Sequence, residues 1–162
     1  IEATDLFDAV ASAVQDSRQT LAGREVKVDI PPDIPLVRVD PVLLHHILLN
    51  LLDNAGRYGD PGTPVTIRGA RTADALLLSV IDQGPGIPPG AEYRLFDSFT
   101  RIEGNDRAKH GTGLGLAIVK GFAEAMGSTA QAANAADPPG ACFTIRIPED
   151  CIIKDMPQDE RP

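Results

Sequence analysis

Asn50, Asn54, Arg57 and Tyr58 recur at i, i+4, i+7 and i+8 in a stretch otherwise rich in leucine, which is the spacing of one helix face. Asparagine is a poor residue inside a helix because its amide competes with the backbone for hydrogen bonds, so two of them one turn apart need a reason. One reason is a solvated outer face. The other is chemistry: amide oxygens suit a hard cation such as Mg²⁺, which keeps most of its waters, and a guanidinium beside them suits phosphate oxygens.

A second group follows an apolar run: Asp82-Gln-Gly-Pro-Gly-Ile-Pro. Gly84 and Gly86 allow backbone conformations and a close approach that a side chain would block, and the prolines stiffen the exit. A planar group could lie against such a loop. Asp82 would then accept from the exocyclic amine of adenine, whereas guanine presents a carbonyl oxygen there and is repelled. The plainer alternative is a strand-exit turn carrying a solvent-facing Asp.

The third group is Gly111-Thr-Gly-Leu-Gly-Leu-Ala-Ile-Val-Lys120, a glycine-rich turn opening a helix. Free amides and the positive end of the helix dipole favour a phosphate there; the alternative is a flexible helix entry. Neither a Walker loop nor a dinucleotide fingerprint fits, the first for want of Gly-Lys-Ser/Thr after four spacer residues and the second because Leu116 stands where a third glycine belongs. Between the second and third groups lies Phe96-Asp-Ser-Phe-Thr-Arg101 and a polar run to His110. Two phenylalanines can anchor one end of a loop while the rest stays mobile, as a lid requires. Arg101, Arg107, Lys109 and His110 bring cations beside the phosphate turn, although exposed charged loops commonly serve solubility alone.

These groups need elements to hold them. Asp5 to Thr20 shows helical spacing, and the chain opens inside what reads as a helical pattern, as an excised domain would. Val26–Ile30 and Leu36–Val39 read as short strands. Asp40-Pro41 is a cap followed by proline at the first helical position, starting a helix to about Tyr58. Val65–Ala70 and Ala75–Ile81 are further strands; Gly113–Met126 is a last long helix, Ala141–Ile147 a last strand, and residues 150–162 a loose charged tail. Residues 1–149 make one domain. Strands and helices do not alternate as regular βαβ units, which favours a mixed sheet with helices on one face.

The composition narrows the function. At 162 residues and 43% hydrophobic content, one core is affordable and two are not. The net charge of −8 speaks against nucleic acid as a partner. Cys142, in an apolar run, reads as a core residue and Cys151 as part of a polar tail, so a disulfide is not expected. No apolar run approaches the roughly 20 residues of a membrane helix, so this fragment itself makes no membrane contact.

Read together and in this order, the four groups resemble the N, G1, F and G2 boxes of the histidine-kinase ATPase domain. The superfamily also holds gyrase B, MutL and the ninety-kilodalton heat-shock chaperone. The resemblance spans about Asp40 to Ile147 and implies a two-layer α/β sandwich: a mixed, mainly antiparallel sheet of about five strands, three main helices on one face, and ATP held between helices under a lid. It implies that Asn54 holds Mg²⁺ with Asn50 assisting, that Arg57 and Tyr58 lie along the phosphates and nucleotide, and that Asn54 and Arg57 serve catalysis. Asp82 would read adenine. Gly84, Gly86 and Ile87, Phe99, Arg101, Lys109 and His110 of the lid, and Gly111, Thr112, Gly113, Leu114, Gly115 and Leu116 would complete the pocket. The run Phe99–Arg107 and the segments Gly121–Gly127 and Gly140–Phe143 resemble potassium-responsive members of the sensor kinases. Ser128 departs from the family, which usually has a second glycine there.

Gyrase-like ATPases carry a general-base glutamate one turn before the metal-binding asparagine. Here that position is Asn50, which cannot take a proton, so the resemblance implies transfer of the γ-phosphate rather than hydrolysis. None of His45, His46 or His110 has the setting of the family's acceptor histidine. The implied acceptor therefore lies in an upstream dimerisation domain, with a cognate response regulator beyond it, in a homodimeric parent kinase whose cytoplasmic part this would be and which is anchored in the inner membrane. Two other readings share the boxes: a gyrase-like ATPase, and a degenerate nucleotide-binding module.

Overall fold

The computed structural model describes residues 1–21, 23–97 and 115–154. Its centre is a helix, α3 (Pro41–Tyr58), whose start the sequence dictates: Asp40 Oδ1 accepts from the amides of Val42 (2.9 Å) and Leu43 (3.2 Å), and Pro41 occupies the first turn. Leu44, Ile47, Leu48, Leu51, Leu52 and Ala55 form its buried stripe, each large member worth about 1.5–3 kcal/mol on burial. Helices α1 (Leu6–Asp16) and α4 (Gly115–Ala125) pack on either side of it.

Beneath the helices lies a five-stranded sheet made of β2 (Val26–Asp29), β4 (Val65–Arg71), β5 (Ala75–Ile81), β7 (Pro139–Pro148) and β6 (Thr129–Ala136), in that spatial order. Only β2 and β4 run parallel. The inner face is set by strand period: Ile67, Val80 and Phe143 stand in cross-strand register, as do Leu78 and Ile145, and all are buried. This is the mixed, mainly antiparallel two-layer sandwich that the sequence implied.

Three local expectations change. Residues 2–4 are not helical: β1 (Glu2–Thr4) pairs antiparallel with β3 (Val37–Val39), and this two-stranded sheet stands apart from the main one. The first helix stops at Ser17, whose amide is shared between Ala13 and Val14 carbonyls, and a short α2 (Arg18–Leu21) turns Leu21 into the core. Residues 150–153, expected to open a loose tail, are held: Ile152 is buried and bridges Val37, and the Ile153 amide donates to the Leu36 carbonyl. Residues 155–162 lie outside the described residues. Cys142 is half-buried rather than core, because strand alternation assigns the inner face to Ala141 and Phe143; it and Cys151 are both free thiols. No helix among the described residues is long and apolar enough to cross a membrane.

Candidate functional site

Where β5 ends, Asp82 turns inward beneath the C-terminal half of α3, 2% exposed. Its Oδ1 accepts from the Gly84 amide at 3.0 Å and the Ala141 amide at 3.2 Å, while Oδ2 is buried with no hydrogen-bond partner among the described residues. Burial pushes this carboxyl above its ordinary range; the amides of Ala141 and Gly84 and the charge of Arg24 pull the other way. A buried polar oxygen left unpaired costs about 1–3 kcal/mol, and the fold tolerates that cost beside a cavity.

That partly open cavity is lined by Asn54 and Tyr58 of α3, Asp82, Gly86, Ile87, Leu95, Leu116 of α4, Ala141 and Phe143. Its walls are apolar and its described polar groups few, so it suits a flat apolar group carrying one donor for Asp82 Oδ2. The loop can pass so near α3 only because residue 84 is glycine: a Cβ there would lie 2.2 Å from the Tyr58 carbonyl oxygen.

The expected site residues fall into three sets. Asn54, Tyr58, Asp82, Gly86, Ile87 and Leu116 line the cavity. Asn50, Arg57, Gly84 and Gly115 do not line it. Asn50 donates its amide to the His46 carbonyl at 2.8 Å, which leaves Oδ1 against the first residue of α4, 3.1 Å from where a Cβ on Gly115 would be. Arg57 pairs with Asp53 at 2.9 Å along the same helix. Phe99, Arg101, Lys109, His110, Gly111, Thr112, Gly113 and Leu114, with the lid they were expected to form, lie outside the described residues. The near end of that segment is described: the Phe96 ring meets Phe143 edge-on with centroids 6.4 Å apart. His45 and His46 serve packing, the first bonded to Asp16 at 3.0 Å and the second edge-on to Phe122.

Several site residues gave no sequence signal. Leu95, Ala141 and Phe143 line the cavity as ordinary apolar residues. Arg24 reaches from the approach to β2 to the end of α3, where it donates to the carbonyls of Ala55 (3.1 Å) and Gly59 (2.8 Å). It thereby adds a donor at the C-terminal end of α3, where the Ala55 carbonyl also accepts from the Gly59 amide at 2.9 Å, and brings positive charge toward Asp82. We expect Arg24→Ala to lower stability by about 2 kcal/mol, read as a lower urea midpoint at unchanged slope. Arg24→Lys, with one ammonium for two carbonyls, should recover only part.

Comparison with known proteins gives a consistent picture. The family model for histidine kinase-, DNA gyrase B- and HSP90-like ATPases matches residues 39–150. The sensor protein KdpD of Mycobacterium tuberculosis is 41% identical over 129 residues, covering 77% of this chain and 14% of the relative; the chain thus spans about one seventh of that protein's length. Among solved structures, the mycobacterial sensor histidine kinase MprB superposes with a TM-score of 0.81 at 32% identity, covering 91% of this chain and 97% of that one. Full-length ShkA, solved in complex with AMPPNP, superposes with a TM-score of 0.76 at 26% identity, covering 90% of this chain and 30% of that one.

Proposed function

The chain belongs to the histidine kinase-, DNA gyrase B- and HSP90-like ATPases, as a catalytic domain of the sensor histidine kinase type, and from that premise we propose that it binds MgATP and passes the γ-phosphate to a histidine on another domain of its parent protein. The observation that carries the nucleotide part is Asp82: a buried carboxylate oxygen with no hydrogen-bond partner among the described residues, on the wall of a mainly apolar cavity. An adenine amine would satisfy it and a guanine carbonyl would be repelled. The solved complex of full-length ShkA with AMPPNP, part of which shares this fold, supports the nucleotide reading.

Asn54 lines the same cavity one turn from Asn50, whose Oδ1 faces the start of α4. Neutral amide oxygens without a carboxylate suit a hydrated Mg²⁺ already bound to phosphates, so the residues present fit the ion. When bound, Mg²⁺ would offset negative charge on the phosphate oxygens. Arg57, on the same helix face, and the cations of residues 101–110 would complete the phosphate side. Asn50 has no basic group to activate water, and its amide is engaged by the His46 carbonyl, which favours transfer over hydrolysis. The acceptor histidine would belong to an upstream dimerisation domain in a homodimeric, membrane-anchored parent with a cognate response regulator. The likeness to KdpD supports a potassium or osmotic stimulus. We assign the catalytic domain to residues 1–149, with residues 150–153 packed against it.

Calorimetric titration tests the nucleotide assignment. ATP with Mg²⁺ should bind in the micromolar range with GTP at least about tenfold weaker, as one charge-assisted contact warrants. Equal binding of the two would remove Asp82 from its assigned role.

A further inference from the structure

On the inner face of edge strand β6, Asn134 stands directly opposite Ala141 in the β6–β7 register. Ala141 lines the cavity and gives its amide to Asp82. The Asn134 side chain reaches across to the loop after Asp82 and grips one residue twice. Its Oδ1 accepts from the Ile87 amide at 2.6 Å, and its Nδ2 donates to the Ile87 carbonyl at 3.0 Å. The carboxamide acts as a substitute peptide group, extending the sheet to a loop that no strand reaches. The same side chain packs over Gly86, whose φ of +79° suits glycine and where a Cβ would lie 2.7 Å from Asn134 Oδ1.

We infer that Asn134 is a positioning residue for nucleobase selection: it fixes Gly86 and Ile87 at one side of the cavity so that a base seated there meets Asp82 Oδ2 in a single register. The inference rests on the ATP reading and deepens it. Two consequences follow from the hydrogen-bond inventory. Both polar groups of the Ile87 backbone are spent on Asn134, so this wall offers the base an apolar surface and leaves selection to Asp82. Discrimination by one carboxylate requires a base that cannot tilt or slide, because a guanine shifted by an ångström escapes repulsion of its carbonyl. The clasp supplies that restraint from a solvent-exposed edge strand, where its contribution to folding is small.

The test is calorimetric titration of the chain with MgATP and MgGTP, together with thermal unfolding, for the unsubstituted protein, Asn134→Ala, Asn134→Ser, Asp82→Asn and the Asn134→Ala/Asp82→Asn double variant. Asn134→Ala should unfold within a few degrees of the parent yet bind ATP about tenfold more weakly, with the ATP-over-GTP ratio reduced by a similar factor. Asn134→Ser, which keeps one hydroxyl for the Ile87 amide, should fall between, and serves if the alanine variant does not fold. In the double variant the two losses of selectivity should fail to add, because both act through one contact. A folded Asn134→Ala or Asn134→Ser with unchanged selectivity would overturn the inference while leaving the ATP reading intact, even if affinity fell. No ATP binding by the unsubstituted chain would overturn both.

Discussion

Asp82→Asn should weaken ATP binding by about a hundredfold while making the domain more stable. The two effects have one cause. Asp82 is buried with Oδ1 satisfied by two amides and Oδ2, among the described residues, by none. An asparagine oxygen can still accept from Gly84 and Ala141, so the loop is kept, but an NH₂ now stands where the adenine amine needs an acceptor. Loss of a hydrogen bond to a charged group, with two donors left facing each other, accounts for the loss of affinity. Stability moves the other way because the substitution removes a desolvated charge. The pH dependence has a definite sign. Burial raises the carboxyl from its ordinary value of 3.8, so the cost of ionised Asp82 is absent below that value, grows as pH rises from there to the shifted pKa and is complete above it. The parent should therefore be destabilised relative to Asp82→Asn across and above that window. ATP affinity should fall as pH drops through the same window, because the protonated acid has lost its charge. Urea unfolding and calorimetry from pH 4 to 8, run on both proteins, read both signs.

The second large effect is expected from Asn54→Ala: phosphotransfer should fall about a thousandfold, the scale on which removal of one group that stabilises transition-state charge is felt. Asn54 lies on the cavity wall between Asn50 and Tyr58, at a half-buried position of α3, so truncation opens no core void and folding should be nearly unaffected. The informative contrast is between metal-dependent and metal-free binding. With a chelator present, ATP should bind the variant and the parent alike, since adenine recognition belongs to Asp82; the tightening caused by Mg²⁺ should disappear in the variant alone. An equal loss in both conditions would make Asn54 a contact to the nucleotide itself.

The parts of the fold legible in the sequence were those where several local signals agreed. Helix α3 carried an N-terminal cap, a proline in its first turn and an unbroken apolar stripe, β4 alternated and β5 was a short apolar run ending at a glycine-proline turn, so their bounds were readable within a residue. Strand β6 was invisible: Thr-Ala-Gln-Ala-Ala-Asn-Ala-Ala has little intrinsic β preference, and it is a strand because β7 beside it offers a full ladder. Strand β1 is three residues long and exists only through its pairing with β3. The site divided in the same way. Asn54, Tyr58, Asp82 and Gly86 announced themselves because polar residues and glycines in apolar surroundings require a reason. Arg24 and Asn134 did not, because both work by reaching backbone atoms more than thirty residues away in the chain, and backbone donors and acceptors leave no mark on the sequence.

A single incubation shows whether this domain gives the γ-phosphate of ATP to a histidine. The chain is mixed with γ-labelled ATP, Mg²⁺ and the histidine-bearing helical segment of its parent kinase, and label is followed on protein and as free phosphate together. We expect acid-labile label on the segment, lost with Asn54→Ala and absent when the acceptor histidine is replaced. Free phosphate released without labelled protein would contradict the account and make the domain a hydrolase.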